Sequence, residues 1–355
     1  MSNSMPLRVA VLFGGCGAEH AVSCASAASV LTDGCDGTWS PIPVYIARDG
    51  AWYLFRGAPA ALAEGAWQPK EGELVPTFPV RLGDGRGLLT EGHLMPVDVA
   101  LPVLHGDGGE DGVVQGLLSA VGLPFVGADT RTGALCTDKA VTKTLAAACG
   151  IPVTPSVTVR RTASFGDALR ALTQVFGDTP PPLFVKPTSL GSSVGAARAD
   201  SKEALRRAFA AASAYGDVLI EQYLSPVEEL EIAYFGTNPP LYSEIARVVS
   251  AAGFYDYHEK YEGHTARITV PAPLPSDCER TLYRYARLLT EAVGARDLCR
   301  IDFFRTPDGA LYFNEINTLP GFTASSLYPQ LLARMGIPFQ VLVARLVRTA
   351  YARGV

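Results

Sequence analysis

Arg8-Val-Ala-Val-Leu-Phe13 runs directly into Gly14-Gly15-Cys16-Gly17. A short β-branched apolar run stopped by glycines reads as a buried strand entering a tight turn. Ala18 to Leu31 is rich in Ala and Ser and predicts a helix, and Trp39–Ile46 (WSPIPVYI) predicts a second strand. Strand, turn, helix and strand in that order open a parallel sheet, which sets the fold class as α/β. The turn fails as a dinucleotide fingerprint: Gly15 and Gly17 supply G-x-G, but His20 stands at the last glycine position. Its backbone N–H groups suit an anion, and Glu19 is placed to receive an ammonium. The same glycines also serve strand-to-helix geometry alone.

Outward from this unit, residues 47–95 break into short apolar pieces that predict hairpin-like structure. Val97–Leu104 is another buried strand, followed by the polar loop His105–Gly112, a helix over Val113–Val121 and a short strand at Pro124–Gly127. Helical spacing covers Thr137–Ala148. Strands at Thr154–Val159 and Leu183–Lys186 flank a helix at 162–176, and another helix is predicted at 201–213. Val218–Gln222, Leu230–Phe235 and Arg267–Val270 read as strands, 276–293 as a long helix, 306–309 as the turn of a strand pair, and 336–352 as the last helix. The pattern divides into three α/β domains at 1–127, 128–220 and 221–355.

Composition excludes other classes. The 355 residues are 48% hydrophobic and 18% charged with net charge −5, which supports a large core and argues against disorder. An acidic balance also argues against nucleic acid or a membrane surface as partner. Seven cysteines, an odd number without a CxxC pair, favour neither a disulfide framework nor a zinc site. With no secretory N-terminus and no long apolar span, the expectation is a cytoplasmic protein.

Several segments carry chemistry-bearing residues. His105-Gly-Asp-Gly-Gly-Glu110-Asp111-Gly112 follows an apolar strand, where open α/β sheets bind ligands; it reads equally as a capped turn network. Lys139, and Lys186 just before Gly191-Ser192-Ser193-Val194-Gly195, suggest cations and loop donors converging on phosphates, although a single lysine is more often a solvated charge. Phe254–Tyr261 (FYDYHEKY) has no clean period and reads as a lid or a packed surface loop.

The strongest signal is Cys299-Arg-Ile-Asp-Phe303 with Asn314-Glu-Ile-Asn317. A four-residue loop pairs Arg305 with Ala310 and sets Asp302 opposite Phe313. With period-two alternation, Arg300, Asp302, Glu315 and Asn317 then share one face; a bulge of one residue would break the match. Two carboxylates and an amide oxygen form a hard site suited to Mg²⁺, with Arg300 beside it to offset developing negative charge. The alternative is a polar outer face of a hairpin.

Taken in order, LFGGCGAEHAVS, HGDGGEDGVVQG, DKAVTK, VKPTSLGSSVG, YDYHEKY, CRIDFF and NEINTLPGFTASSLYP resemble the D-alanine–D-alanine ligase family of ATP-grasp enzymes across nearly the whole chain. That resemblance implies an ATP-grasp fold with the nucleotide between the central and C-terminal domains. It assigns Lys139 and Lys186 to the nucleotide phosphates, with Ser192 in the loop over them. Glu221, Tyr223 and Leu224 fall to the adenine hinge, and Glu229 to the ribose, with Glu228 the alternative because SPVEE is one residue longer than usual. Asp302, Glu315 and Asn317 become ligands of two Mg²⁺ ions, with Mn²⁺ able to substitute.

On the substrate side it implies that Glu19, near His105, takes the first D-alanine's ammonium, and that Ser192 and Tyr261 lock the lid with Glu19. Arg300 and the Gly321 backbone would brace an oxyanion, and Lys260, Ser326 and Leu327 would hold the second substrate's carboxylate. The implied reaction activates D-alanine as an acyl phosphate for dipeptide synthesis in peptidoglycan assembly, by a homodimer. Cys24 stands in place of Leu, and Ser325 in place of His. Lys260-Tyr261 argues against a D-lactate ligase. The GGC turn and ALCTDK are similar to vancomycin-resistance ligases making D-alanyl-D-serine. A nicotinamide oxidoreductase and a non-catalytic nucleotide-binding protein are the competing classes; the first lacks its fingerprint, and the second predicts a missing ligand or lysine where all are present.

Overall fold

The computed structural model describes residues 5–63, 67–178, 182–191, 193–249 and 267–355. Its first sheet grows around Leu7–Gly14 (β1), where residues 9–14 are all buried. His20–Asp33 (α1) leads to Trp39–Ile46 (β2), which pairs with β1 in parallel. Trp52–Phe55 (β3), Leu74–Leu82 (β4), Gly85–Thr90 (β5) and His93–Pro96 (β6) extend the sheet outward from β2 as an antiparallel meander. Val99–Pro102 (β7) returns to the other side of β1, again in parallel. The hydrophobic pattern follows this geometry. β1, covered on both faces, is continuously apolar, whereas β4 alternates buried Val75 and Thr77 with exposed Pro76 and Phe78.

Val113–Ala120 (α2), Thr130–Thr137 (α3) and Lys139–Ala148 (α4) lead to a second sheet. Its strands are Ser156–Val159 (β8), Leu183–Pro187 (β9), Ala197–Ala199 (β10) and Val218–Gln222 (β11), all antiparallel in the order β10-β9-β11-β8. Phe165–Phe176 (α5), started by a Ser164–Asp167 capping box, and Lys202–Ser213 (α6) bury Leu172, Leu205 and Phe209 against Val157, Val185 and Ile220. Alternation then places Lys186 and Glu221 on the opposite face.

The third sheet contains Glu228–Phe235 (β12), Leu241–Tyr242 (β13), Ala246–Val249 (β14), Arg267–Thr269 (β15), Leu298–Arg305 (β16) and Leu311–Asn317 (β17). Its order is β15-β14-β12-β16-β17, with β13 on the end of β12. Ser276–Val293 (α7), with the predicted bounds, packs Leu282, Ala286 and Leu289 against Ile232, Ile301 and Phe303. Leu327–Arg334 (α8) and Phe339–Arg353 (α9) fold back onto the first sheet, so that Leu342, Val343 and Leu346 share a core with Val9, Val11 and Phe13. Asp297 clamps this return: its carboxylate accepts from Arg353 and from the Gly127 N–H, while Arg353 also reaches the Phe125 carbonyl. Among the described residues no single helix is long and apolar enough to cross a membrane.

The elements differ from expectation at identifiable points. The helix expected over 137–148 is α4, which starts two residues later because Asp138 takes an extended conformation and caps it by accepting from the Ala140 and Val141 N–H groups; Thr137 instead ends the separate helix α3. Pro124–Gly127 forms only a single parallel bridge, Phe125 to Ala100. The expected C-terminal helix begins later, after Pro338. Most consequential is the β16–β17 register. Arg305 pairs with Leu311 and Phe303 with Phe313, and a bulge between Asp302 and Phe303 then sets Asp302 opposite Glu315 and Arg300 opposite Asn317. The predicted Asp302–Phe313 pairing is wrong. A longer loop and the bulge each shift the register by one residue, and the two shifts together restore the shared face.

Candidate active site

A cleft of about 870 Å³, open to solvent, lies between the second and third sheets. Lys139, Lys186, Glu221, Tyr223, Leu224, Glu229 and Glu315 all contribute to its lining. Lys139 is the first residue of α4, and its Nζ donates to the Leu190 carbonyl at 2.8 Å and lies 3.3 Å from Glu315. Lys186 Nζ sits 2.6 Å from one Glu221 oxygen. The other Glu221 oxygen meets Lys143 Nζ at 2.7 Å and accepts from the Thr154 hydroxyl, also at 2.7 Å. Burial opposes ionisation of Glu221, but the Lys143 and Lys186 ammonium groups outweigh it and hold the carboxyl well below its usual range. At the cleft's hinge the Tyr223 N–H donates to the Pro182 carbonyl, and its ring stacks with Phe184 and carries the Arg198 guanidinium 4.7 Å from its centroid.

A second, more polar cavity of about 460 Å³ adjoins the first, and Gly191 and Glu315 line both. Glu19, His105, Glu110, Arg300, Asn317 and Gly321 complete its walls. Glu19 presses against two loops at once: a Cβ on Gly106 would fall 2.6 Å from its Oε2, and one on Gly191 would fall 2.9 Å away. Gly106 also needs its positive φ of 67°. His105 is buried, with Nδ1 3.0 Å from the Leu319 carbonyl and Nε2 3.1 Å from the Ser26 hydroxyl. Burial disfavours its charged form, yet Glu110 at 3.7 Å and the more distant Glu19 raise its pKa. Burial in turn raises Glu110 above the usual carboxylate range, against the opposing pull of His105.

Arg300 lies at the floor. It donates to both oxygens of Asp302, at 2.8 and 2.7 Å, and its Nε is 2.8 Å from Glu231 on the neighbouring strand. Burial works against the guanidinium, and Asp302 and Glu231 outweigh that effect, so Arg300 remains charged. Asn317 donates to Asp302 at 3.1 Å. Among the described residues no group of three or more His, Cys, Asp or Glu side chains is arranged to hold an ion unaided. Asp302, Glu315 and the Asn317 amide oxygen nevertheless form a hard oxygen set of the kind that holds Mg²⁺ jointly with phosphates.

Ser326 and Leu327 are not among the residues lining this cavity; Ser326 lies behind Gly321, with its hydroxyl bonded to Thr323, and Leu327 begins α8. Ser192, Lys260 and Tyr261, with the rest of the Phe254–Tyr261 segment, lie outside the described residues. The two glutamates considered for one role separate clearly. Glu229 lines the cleft, whereas Glu228 is tied to Arg247 and Arg305 at 3.0 and 2.7 Å.

The chain matches a model of the D-ala D-ala ligase N-terminus over residues 8–128 and one of the D-ala D-ala ligase C-terminus over residues 145–348. It belongs to the D-Ala–D-Ala ligase family. A D-alanine–D-alanine ligase of Thermoanaerobacter sp. (strain X514) is 36% identical over 97% of this chain and 96% of its own length. The vancomycin C-type resistance protein VanC1 of Enterococcus gallinarum is also 36% identical, over 97% and 98%. Among solved structures, the VanG D-Ala:D-Ser ligase from Enterococcus faecalis superposes with a TM-score of 0.86 at 32% identity, over 97% of this chain and 99% of that one. The protein is therefore an ATP-dependent ligase with the ATP-grasp fold.

Sequence reasoning about this D-Ala–D-Ala ligase family member overlooked Lys143, Thr154 and Glu231, and it named Glu110 in the loop after β7 without giving it a role. Lys143 falls one helical turn after Lys139 in DKAVTK, a spacing that puts both on one helix face and was the available signal. Glu231 becomes visible only when β12 is paired with β16 in register, Glu231 opposite Asp302.

Proposed function

We propose that the protein joins two D-alanine molecules into D-alanyl-D-alanine, with ATP activating the first as an acyl phosphate, to supply peptidoglycan synthesis. The observation that carries this reading is the shared wall of the two cavities at Gly191 and Glu315. A nucleotide in the larger cavity points its terminal phosphate at a small amino acid in the other. In this reading Lys139, Lys186 and Ser192 hold phosphates, Glu221, Tyr223 and Leu224 the adenine, and Glu229 the ribose, since Glu228 is engaged elsewhere.

Glu19, with His105 behind it, receives the first ammonium, and its contact with the Gly191 loop places the carboxyl group beside the phosphate site. Asp302, Glu315 and Asn317 would hold Mg²⁺, or Mn²⁺ in its place, in a two-ion site that neutralises phosphate charge when bound. Arg300 and the Gly321 N–H stabilise the oxyanion formed as the second amine attacks the acyl carbon and phosphate leaves. Ser326 and Leu327, at the positive end of α8, and Lys260 hold the acceptor carboxylate. Tyr261, with Ser192 and Glu19, closes the site against water, to which acyl phosphates are labile. We place the three domains at 1–127, 128–220 and 221–355, with ATP between the second and third, in a cytoplasmic homodimer.

A second reading, synthesis of D-alanyl-D-serine, is favoured by the likeness to the VanG D-Ala:D-Ser ligase and by hydroxyls at the acceptor end, where Thr323 Oγ1 lies 3.1 Å from Ser325 Oγ and 2.7 Å from Ser326 Oγ. The test is ATP- and Mg²⁺-dependent phosphate release with D-alanine alone, then with equimolar D-serine or D-lactate, with products identified by mass spectrometry. D-Ala-D-Ala as the main product in every mixture supports the first reading. A dominant D-Ala-D-Ser product replaces it with the second, and release of phosphate with no dipeptide removes both.

A further inference from the structure

α4 presents two lysines one turn apart, and they do different things. Lys139 lines the cleft. Lys143 is 3% exposed and is turned to the cleft's back wall, with Nζ 2.7 Å from the Thr154 hydroxyl and 2.7 Å from Glu221 Oε2. Glu221, also 3% exposed, bridges Lys143 and Lys186 with its two oxygens, and of the two lysines Lys186 is the one lining the cleft. The three groups of this cluster, two cations and one anion, are all buried and sum to one positive charge, with Lys186 facing the cleft that Glu229 and Glu315 also line. A phosphate group there is a further anion that Lys186 can meet.

The difficulty is Glu221. A lysine that turns toward a phosphate must loosen its existing bond, and a buried carboxylate left without a partner is strongly unfavourable. We propose that Lys143 is a positioning residue of the nucleotide site, the permanent counterion of Glu221 that leaves Lys186 free to engage the nucleotide phosphates. Its second bond, to Thr154, fixes the ammonium so that it does not follow Lys186 into the cleft; the Thr154 hydroxyl accepts from Lys143 and donates to the same Glu221 oxygen, closing a triangle. The inference rests on the assignment of Lys186 to the phosphates.

The test is direct binding of ADP and of adenosine, by calorimetry without D-alanine, to the parent, Lys143→Met, Lys143→Met/Glu221→Gln and Lys186→Met. Lys143→Met should weaken ADP about 30-fold or more, the lower end of what stripping one partner from a buried charge pair costs, and adenosine by less than about threefold. The double variant gives up an adenine contact, which weakens ADP and adenosine alike, but it has no buried carboxylate left to retain Lys186, so its ratio of ADP to adenosine affinity should return to within about threefold of the parent's. It also retains the comparison if the single variant fails to fold. Equal loss of ADP and adenosine, no loss of ADP, or a double variant whose ADP-to-adenosine ratio is no higher than that of Lys143→Met overturns the role of Lys143. If Lys186→Met binds ADP as the parent does, the phosphate assignment of Lys186 fails first, and the counterion role fails with it.

Discussion

Glu315 faces Asp302 across a strand pair and stands 3.3 Å from Lys139, on the wall common to both cavities. Replacing its charge without changing its shape, Glu315→Gln, should lower turnover at least about 1,000-fold by weakening the hold on phosphate-neutralising cations. The melting temperature should move by less than about 3 °C; near-parental dipeptide synthesis would remove Glu315 from the site. His105 offers a pH signature. Its pKa is raised in the folded state, so the stability it contributes is full below its unfolded value near 6.5 and is lost as pH rises through the folded value. Glu110, also raised, acts in the same direction. The destabilisation caused by His105→Gln, measured by urea unfolding across a pH series, should therefore be largest in acid and shrink toward alkaline pH. A penalty that grows with pH would mean that the imidazole is neutral.

Elements deliver these residues, and two devices matter most. Asp138 splits what would otherwise be one helix and caps α4, which fixes where Lys139 and Lys143 begin their turn. Asp138→Ala should cost about 1 kcal/mol, the usual value of such a cap, visible as a lower urea midpoint at unchanged slope. The bulge in β17 is the other device. Without it the Phe303–Phe313 register would carry on to set Glu315 opposite Ile301 and turn it into the core.

That bulge also marks how far the sequence could be read. The shared face of Arg300, Asp302, Glu315 and Asn317 was legible because it depends only on parity, and two unforeseen one-residue shifts preserve parity. Which residues actually face each other was not legible, since loop length and bulges leave no pattern in strands as short as β16 and β17, eight and seven residues long. For the same reason the bounds of α7, set by a long amphipathic period, were readable, while Glu231, whose meaning depends on its neighbour in another strand, was not. Residues 47–95 were read as hairpins, and the meander is built of them; that it extends the first sheet depends on tertiary pairing along β2.

At the scale of the molecule, the three sheets are held in register by buried polar anchors as well as by apolar cores. Asp297, 1% exposed, gathers the Gly127 amide and Arg353 from segments far apart in the chain. Arg353→Ala strips a buried carboxylate of its partner and should destabilise the protein by about 3 kcal/mol, read from chemical unfolding. A loss below about 0.5 kcal/mol would place the anchor elsewhere. The wider consequence lies in the order of synthesis. β1 leaves the ribosome well before α9, yet Val9, Val11 and Phe13 share their core with Leu342, Val343 and Leu346 of that helix. At roughly 5–20 residues per second, β1 spends on the order of tens of seconds with that face uncovered, so the layer is completed only once α9 has been made, and the interval is the time during which a chaperone has most to protect.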